Sequence, residues 1–478
     1  MIAVPNHIPL EAAMISALVD RANKRTVTLT PLNADGLAAW RTTATPAARA
    51  WLAGHAFTAA GGTHLTVPGA DGAPEEVLVG MEGAEPGLWD LADLPTKLPA
   101  GRYRLAGAPS AAAAGAAALG WLLGGYRFDR YKTDKKAKIK AHAELVWPSG
   151  SDRALVTAQA EGIALARDLI NTPAGDLGPR ELAAAARDLA SRHKAKCAVI
   201  AGKDLLKEGY PAVHAVGRAA DNGPRLIDIT WGKAKAPRVT LVGKGVCFDS
   251  GGLDIKPSGG MLLMKKDMGG AAQVLALAHM IMALRLPVRL RVLIPAVENA
   301  ISGNAFHPLD VLDTRKGLTV EVGNTDAEGR LILADALAEA DRDKPEMILD
   351  FATLTGAARV ALGAEVPAMF CNDDALADAL SAAAGAVSDP FWRLPLWADY
   401  KRHLKSKVAD LSSTGSGGFG GAITAALFLE HFVSKGTPWA HFDLMAYNQS
   451  SRPGRPEGGE AMGVRAILHL LRTRYPAA

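Results

Sequence analysis

Apolar residues follow two different patterns along the chain, and the change between them lies near residue 150. In the first part, short apolar runs at Thr26–Leu29, Glu76–Gly80 and Arg102–Ala106 predict strands that alternate with alanine-rich helical stretches. The most apolar of these stretches, Ala108–Gly125, is built from alanine and glycine and predicts a packed helix instead of a membrane span. We therefore expect a small α/β domain in this part of the chain.

After residue 150 the apolar runs are longer, richer in β-branched residues and separated by helical patterns, beginning with a helix predicted over Asp152–Leu169. This alternation favours an α/β fold with one mixed, mostly parallel sheet sandwiched by helices. The predicted strands are Leu226–Thr230, Val239–Val246, Leu290–Ala296, Met347–Phe351 and His441–Leu444, and the main helices are Ala271–Leu284 and Leu331–Ala340.

The two patterns predict two domains: a smaller N-terminal α/β domain over residues 1–140, with a role in assembly or access, and a catalytic domain over residues 141–478. The polar, basic segment Phe128–Lys140 is interpreted as a solvated linker between them. A nucleic-acid contact is the alternative for this segment, and it would use Lys135, Lys136, Lys138 and Lys140.

Composition narrows the class of protein. The 478 residues contain 53 basic and 49 acidic residues, and the net charge of +4 gives no general case for nucleic-acid binding. The 3 cysteines include no C-x-x-C pair, which favours a reducing compartment. The N-terminal stretch lacks a basic region before its apolar part and does not resemble a signal peptide. We expect a soluble, cytoplasmic protein without membrane contact.

Candidate chemistry is concentrated in two glycine-rich, acidic segments. The first runs from Val242 to Ala272 and reads VGKGVCFDSGGLDIKPSGGMLLMKKDMGGAA, with Asp249 and Asp267. The second reads NTDAEGR, with Asp326 and Glu328 two residues apart, so that in an extended segment both would face one side. We expect both segments at the carboxyl edge of the sheet, where ligands of α/β proteins gather. Short carboxylates converging there are suited to hard or borderline cations.

Two alternatives to a metal site stay open at this point. Asp267, Asp326 and Glu328 each precede a predicted helix, so each could cap a helix N-terminus. Four converging carboxylates could also be neutralised without metal, in a lattice of salt bridges. The cations available for such a lattice are Lys244, Lys256, Lys265, Lys266 and Arg330.

Other catalytic classes lack their motifs. Gly243-Lys244-Gly245 has neither the spacing nor the trailing hydroxyl residue of a phosphate-binding loop. Ser250 is not in a G-x-S-x-G elbow, and Cys247 has no activating histidine beside it in the sequence. The chain has no H-E-x-x-H helix, so a metal site would be mainly carboxylate.

Together the two segments resemble the leucyl aminopeptidase (cytosol aminopeptidase) family. Further similarities are the stretches RDLINTPAGDL, FATLTGA, GGFGGAITAALFL and WAHFDL, so that the resemblance covers most of residues 150–445 in the family's order. It implies a dinuclear aminopeptidase that removes N-terminal residues from peptides, with a preference for leucine-like apolar side chains. It also implies a homohexamer whose active sites face an inner cavity.

The resemblance also implies a role for each matched residue. Two divalent ions, zinc or manganese, would share Asp249 and Glu328; Asp326 would complete one site, and Lys244 and Asp267 the other. Lys256 would polarise the scissile carbonyl, and Arg330 would hold a bicarbonate ion that acts as general base. The backbone carbonyl of Leu354 would orient substrate. Met261 and Met264 match apolar positions of the specificity pocket, although ordinary packing explains them equally well.

The chain departs from the family pattern after Leu444, where a longer and more polar loop, residues 445–463, leaves the side-chain preference open. Two other functions compete with the peptidase. Since some members of the family bind DNA, the chain could be a hexameric scaffold or an architectural DNA-binding protein with secondary peptidase activity. A dinuclear esterase or phosphoesterase is the third hypothesis.

Overall fold

The computed structural model describes residues 17–133 and 143–476. They form two compact units, one with residues 17–133, 143–164 and 450–457, the other with residues 165–449 and 458–476. Lys135, Lys136, Lys138 and Lys140, together with most of the predicted linker, lie outside the described residues. In the part of the chain that is described, no helix has the length and apolarity needed to cross a lipid bilayer.

The first unit is an α/β sheet domain, as its apolar pattern predicts. Its strands are β1 (Leu18–Val19), β2 (Val27–Leu32), β3 (His64–Pro68), β4 (Pro74–Gly80), β5 (Gly101–Leu105) and β6 (Ala143–Val146), and its helices are α1 (Ala34–Thr43), α2 (Pro46–Ala53), α3 (Leu94–Lys97) and α4 (Ala111–Gly124). The strand order is β1-β6-β5-β2-β4-β3, with the β3–β4 pair antiparallel. Helix α4 is largely buried, which agrees with the packed helix expected over Ala108–Gly125.

The second unit contains the larger sheet, and helix α5 (Arg153–Asn171) includes residues of both units. The strands of the second unit are β7 (Lys196–Ala201), β8 (Arg225–Trp231), β9 (Arg238–Gly243), β10 (Gly245–Asp249), β11 (Arg289–Asn299), β12 (Val311–Asp313), β13 (Thr319–Glu321), β14 (Met347–Ala352), β15 (Ala368–Cys371), β16 (Trp392–Arg393), β17 (Leu411–Ser412), β18 (Trp439–Asp443), β19 (Tyr447–Asn448) and β20 (Gly458–Gly459). Its helices are α6 (Pro179–Arg192), α7 (Asp204–Lys207), α8 (Pro211–Gly217), α9 (Ser258–Met261), α10 (Gly269–Ala283), α11 (Glu328–Arg342), α12 (Gly356–Leu362), α13 (Asp374–Ala386), α14 (Gly421–Glu430) and α15 (Val464–Arg474).

The strand order of the main sheet is β16-β15-β18-β14-β9-β11-β8-β7, and β10 pairs with β11. Strands β18, β14, β9 and β11 are parallel, whereas β15 pairs antiparallel with β18 and β8 antiparallel with β11, so the sheet is mixed and mostly parallel as predicted. Every residue of β14 and β18 is buried, which requires cover on both faces of the sheet. Helices α10 and α11 pack against its central strands.

The parallel direction of the central strands determines where the candidate chemistry lies. Strands β9, β14 and β18 end next to one another, so the residues that follow them, beginning with Lys244, Thr353 and Leu444, share one edge of the sheet. The second acidic segment does not follow a strand of the main sheet. It follows β13, which belongs to a separate sheet of order β12-β13-β17.

Candidate active site

Asp249 is the last residue of β10, and the two glycines after it shape the turn. Gly251 and Gly252 have φ angles of 90° and 67°, and an added Cβ at Gly251 would lie 2.4 Å from the Asp254 carbonyl oxygen. Asp249 Oδ1 accepts hydrogen bonds from the Gly251 amide at 2.9 Å and from Asn299 Nδ2 at 2.8 Å. One oxygen of this buried carboxylate is therefore fixed by the protein, and the other points to the neighbouring charged groups.

Asp326 and Glu328 meet Asp249 through a turn that the sequence did not predict. We expected an extended segment, but Thr325–Ala327 is a 3₁₀ turn, and Glu328 is the first residue of α11. The Asn324 side chain stabilises this turn by accepting a hydrogen bond from the Asp326 amide at 2.7 Å. One carboxylate oxygen each of Asp249, Asp326 and Glu328 lies within 4.8 Å of the others.

Helix capping does not explain the acidic residues. The N-cap of α10 is Met268, and the N-cap of α11 is Ala327; neither helix has a side-chain cap hydrogen bond. Asp267 lies in the 3₁₀ turn Met264–Met268. The capping alternative is therefore wrong for α10 and α11, and the carboxylates are turned towards the site instead.

Lys244 connects Asp267 to this cluster. Its Nζ lies 2.7 Å from Asp267 Oδ2 and 2.9 Å from Glu328 Oε1, and all three side chains are buried. The close approach depends on Gly329, because an added Cβ there would lie 2.5 Å from Lys244 Cε. Thr353 completes the arrangement: its carbonyl oxygen accepts from Lys244 Nζ at 3.2 Å, and its hydroxyl donates to Asp267 Oδ1 at 2.7 Å.

Lys256 occupies the opposite side of Asp249. Its Nζ lies 2.8 Å from Asp249 Oδ2 and also pairs with Asp326 Oδ1. Its side chain is 15% exposed, compared with 3% for Lys244, so it is the more accessible of these two ammonium groups. Burial acts against its charge, but Asp249 and Asp326 outweigh that effect and raise the pKa of Lys256.

The electrostatics of the cluster show an excess of negative charge. Burial raises the pKa of Glu328 to about 8, and the neighbouring Asp249 and Asp267 add to that shift while Lys244 opposes it. Burial also raises the pKa of Asp249, with a further contribution from Asp267. Burial disfavours the charged form of Lys244, but these three carboxylates outweigh it and raise the pKa of the ammonium group. The buried surroundings thus disfavour the ionised forms of Glu328 and Asp249, and additional positive charge would stabilise these forms.

The donor set fits a divalent cation. Both carboxylate oxygens of Glu328 are buried; Oε1 lies 2.9 Å from Lys244 Nζ, whereas Oε2 has no hydrogen-bond partner among the described residues. A buried carboxylate oxygen without a partner carries a large desolvation cost. Carboxylate oxygens in a group of this size are typical ligands of zinc, manganese or magnesium.

Arg330 and Leu354 lie beside the cluster on different elements. Arg330 follows Glu328 by two residues on α11, and its guanidinium donates to the Ser413 carbonyl oxygen at 2.8 Å. Its Nε is buried and has no hydrogen-bond partner among the described residues. Burial lowers the pKa of Arg330 to about 10, against the opposing effect of Glu328. The amide of Leu354, just after β14, donates to Asp443 Oδ1 at 2.9 Å.

The structure adds three polar residues that were not among the predicted site residues. Asn299 at the end of β11 donates to Asp249, Thr353 bonds both Lys244 and Asp267, and Asp443 at the end of β18 holds the Leu354 segment. Each follows or ends a strand of the main sheet, which is the signal that could have identified them. Met261 and Met264 are half-buried in the segment between Asp249 and Asp267.

The sequence of the chain matches two family descriptions. The description "Cytosol aminopeptidase family, catalytic domain" matches residues 164–468, and "M17 aminopeptidase, N-terminal domain" matches residues 27–148. The chain belongs to the cytosol aminopeptidase family. It is therefore an aminopeptidase, a hydrolase that acts on peptides, and the family predicted from the two acidic segments is confirmed.

Individual members of the cytosol aminopeptidase family match most of the chain. The "Probable cytosol aminopeptidase" of Geobacter sp. (strain M21) is 44% identical over 369 residues, which cover 75% of this chain and 75% of the relative. The crystal structure of cytosol aminopeptidase from Coxiella burnetii has a TM-score of 0.92 at 49% identity and covers 96% of this chain and 99% of the other. The structure of the bottromycin maturation enzyme BotP in complex with Mn has a TM-score of 0.84 at 37% identity, with coverage of 94% and 99%.

Proposed function

We propose that this aminopeptidase is a two-metal enzyme that removes leucine-like, apolar N-terminal residues from peptides. The observation that carries the proposal is the group of Asp249, Asp326 and Glu328 oxygens within 4.8 Å of one another, next to the buried pair of Lys244 and Asp267. Asp249 and Glu328 would be shared between two zinc or manganese ions. Asp326 would complete one site, and Lys244 with Asp267 the other. The Mn complex of BotP supports the choice of manganese.

Two divalent ions held in this way would supply an activated water and stabilise negative charge on the reacting oxygen. The protein's own groups then divide the remaining work. Lys256 is the more exposed ammonium group at the cluster, so it is available to donate a hydrogen bond to the scissile carbonyl oxygen of a bound peptide. Such a donor lowers the barrier when its bond strengthens as charge develops in the transition state.

Arg330 and Leu354 would complete substrate handling. The Arg330 Nε is buried and has no hydrogen-bond partner in the described ranges, so it is suited to hold a small anion such as bicarbonate. This anion would receive the proton released by water. The carbonyl oxygen of Leu354 would orient the peptide. Met261 and Met264 are half-buried and are candidates for the wall of the side-chain pocket.

The proposal extends to assembly and location on the evidence of the family. Residues 1–140 would form the domain for assembly or access and residues 141–478 the catalytic domain, within a homohexamer. The names of the relatives favour the cytoplasm. The DNA-binding alternative stays a prediction, because its lysines lie outside the described residues.

The deciding experiment measures hydrolysis of Leu-p-nitroanilide before and after metal stripping, followed by addition of Mn²⁺ or Zn²⁺. We expect activity to disappear with chelation and to return with either ion. Full activity after rigorous stripping, with metal content verified as absent, would reject the two-metal proposal. Parallel assays with p-nitrophenyl esters, p-nitrophenyl phosphate and Asp-p-nitroanilide test the reaction class and the apolar preference.

A further inference from the structure

Asp443 is a buried carboxylate at the carboxyl end of β18 that belongs to none of the acidic segments. It is 2% exposed and lies opposite Ala352 in the β14–β18 pairing, so it faces the segment that leaves β14. A buried carboxylate is costly unless its oxygens accept hydrogen bonds or meet positive charge. The partners that offset this cost show what Asp443 does in the fold.

Asp443 binds the backbone of the segment that follows β14. Its Oδ1 accepts from the Leu354 amide at 2.9 Å, and the Thr355 amide lies 3.1 Å from both carboxylate oxygens. The Thr355 hydroxyl donates to Asp443 Oδ2 at 2.6 Å and accepts from the Ala358 amide at 3.0 Å. One carboxylate therefore fixes two consecutive peptide units and the start of α12.

The same segment contacts the candidate metal ligands one residue earlier. The Thr353 carbonyl oxygen accepts from Lys244 Nζ, and the Thr353 hydroxyl donates to Asp267 Oδ1. The Thr353 carbonyl oxygen and the Leu354 amide belong to the same planar peptide unit, so a shift of one also shifts the other. Asp443 is thus linked to Lys244 and Asp267 by an unbroken series of bonds.

Charge gives Asp443 a second connection to the site. Its carboxylate favours the charged forms of Lys266, which is buried, and of Arg330, which is half-buried. Lys266 Nζ and Arg330 Nε have no hydrogen-bond partner among the described residues. Loss of the negative charge at position 443 would therefore leave the charges of Lys266 and Arg330 less well compensated.

We propose that Asp443 is a positioning residue for peptide hydrolysis, which holds the Leu354 carbonyl oxygen and the Thr353 contacts in the geometry that the reaction requires. The inference rests on the proposed role of the Leu354 carbonyl oxygen in orienting substrate. Displacement of such a group by about 1 Å lowers turnover by about 100-fold. The candidates for the pocket of the apolar side chain are Met261 and Met264, which Asp443 does not bond. We therefore expect substitution of Asp443 to lower kcat more than it raises KM.

The test compares Asp443→Asn with a matched control, Asp389→Asn. Asp389 is also a buried carboxylate that binds the start of a helix, because it accepts from the amides of Gly463, Arg465 and Ala466 at 2.8–3.2 Å. Both substitutions keep the side-chain shape and remove one charge. We expect Asp443→Asn to lower kcat for Leu-p-nitroanilide by about 10- to 100-fold, with KM changed by less than about threefold and bound metal unchanged. Asp389→Asn should retain kcat.

A second pair of variants covers the case in which Asp443→Asn does not fold. Thr355→Val removes the hydroxyl between Asp443 and the Ala358 amide, whereas Thr355→Ser keeps it. We expect a lower kcat for the valine variant and recovery with serine. Wild-type kcat in Asp443→Asn, or in Thr355→Val if the first variant is unfolded, would overturn the inference, as would a defect that excess metal repairs. Wild-type activity that survives metal stripping would instead reject the two-metal proposal, and the comparison of kcat would still decide the role of Asp443.

Discussion

Asn299 Nδ2 donates a hydrogen bond of 2.8 Å to Asp249 Oδ1 in the first acidic segment. The same amide nitrogen donates to the Thr325 carbonyl oxygen at 3.1 Å, immediately before Asp326. Asn299 is 1% exposed and lies opposite Asp249 in the β10–β11 pairing. One buried side chain thus bonds both the turn after β10 and the turn before α11, which the Thr325 hydroxyl also connects through the Gly251 carbonyl oxygen and the Asp254 carboxylate.

Replacement of Asn299 by leucine should therefore weaken metal binding. The variant loses both hydrogen bonds and leaves the Thr325 carbonyl oxygen without this donor, at a cost of about 1–3 kcal/mol in unfolding free energy. Loss of such an orienting contact lowers metal affinity by about 10- to 100-fold. Isothermal titration of stripped protein with Mn²⁺ measures the affinity. Asn304→Leu, at an exposed position, is the control, and equal affinities in both variants would contradict the role given to Asn299.

Lys256→Ala tests the donor to the scissile carbonyl oxygen. If Lys256 acts in the transition state, kcat should fall by about 100- to 1000-fold. The acidic residues keep their positions, so we expect the metal content to stay at the wild-type level. Lys207→Ala removes an exposed ammonium group that pairs with Asp204 at 2.7 Å and should keep full activity. Loss of both metals from Lys256→Ala would show that this residue helps to hold the ions.

Glu328→Gln tests whether the carboxylate cluster binds metal. Metal that binds only the folded protein stabilises the wild type by about 2.7 kcal/mol at 100 times the dissociation constant. The glutamine variant removes one carboxylate of the Asp249, Asp326 and Glu328 group that would hold the ions, so most of that gain should disappear. Urea unfolding with and without Mn²⁺ measures the difference. Glu430→Gln, which removes the partner of Lys401, should keep the wild-type gain.

The buried pair of His441 and Asp350 should make the stability of the protein depend on pH. Its Nδ1 lies 2.5 Å from Asp350 Oδ1, and both side chains are fully buried. Burial acts against the imidazolium charge, but Asp350 outweighs it and raises the pKa of His441 above 6.5. A raised pKa in the folded state stabilises the protein below the unfolded-state pKa, and this contribution is lost as pH rises through the folded-state pKa.

We therefore expect the unfolding free energy of the wild type to include a contribution that declines from about pH 6.5 upward, by at most about 1.4 kcal/mol per pH unit. His441→Gln keeps a donor to Asp350 but does not titrate, so its profile should lack this decline. Urea unfolding between about pH 6 and pH 9 measures both profiles. His307→Gln, whose side chain is 59% exposed, should follow the wild type. Parallel profiles for wild type and His441→Gln would contradict the prediction.

The pattern of apolar residues was enough to predict the α/β fold and the mostly parallel sheet. The run Val239–Val246 illustrates the limit: the structure divides it into β9 and β10, with Lys244 between them. A continuous apolar run shows that the backbone is buried, but it does not show where the strand changes partner. In the structure β9 pairs with both β11 and β14, whereas β10 continues beside β11 alone. The break places Lys244 at the carboxyl edge of the sheet.

By itself the sequence determined the residue types of the site and its family, because short carboxylates, glycines and lysines at fixed spacings are local properties of the chain. Tertiary structure alone decided which groups meet. The 3₁₀ turn that brings Asp326 and Glu328 to Asp249, and the contacts of Asn299 and Asp443, join residues on separate strands. Such contacts depend on strand order and direction in the sheet, which long-range packing selects and which no local pattern encodes.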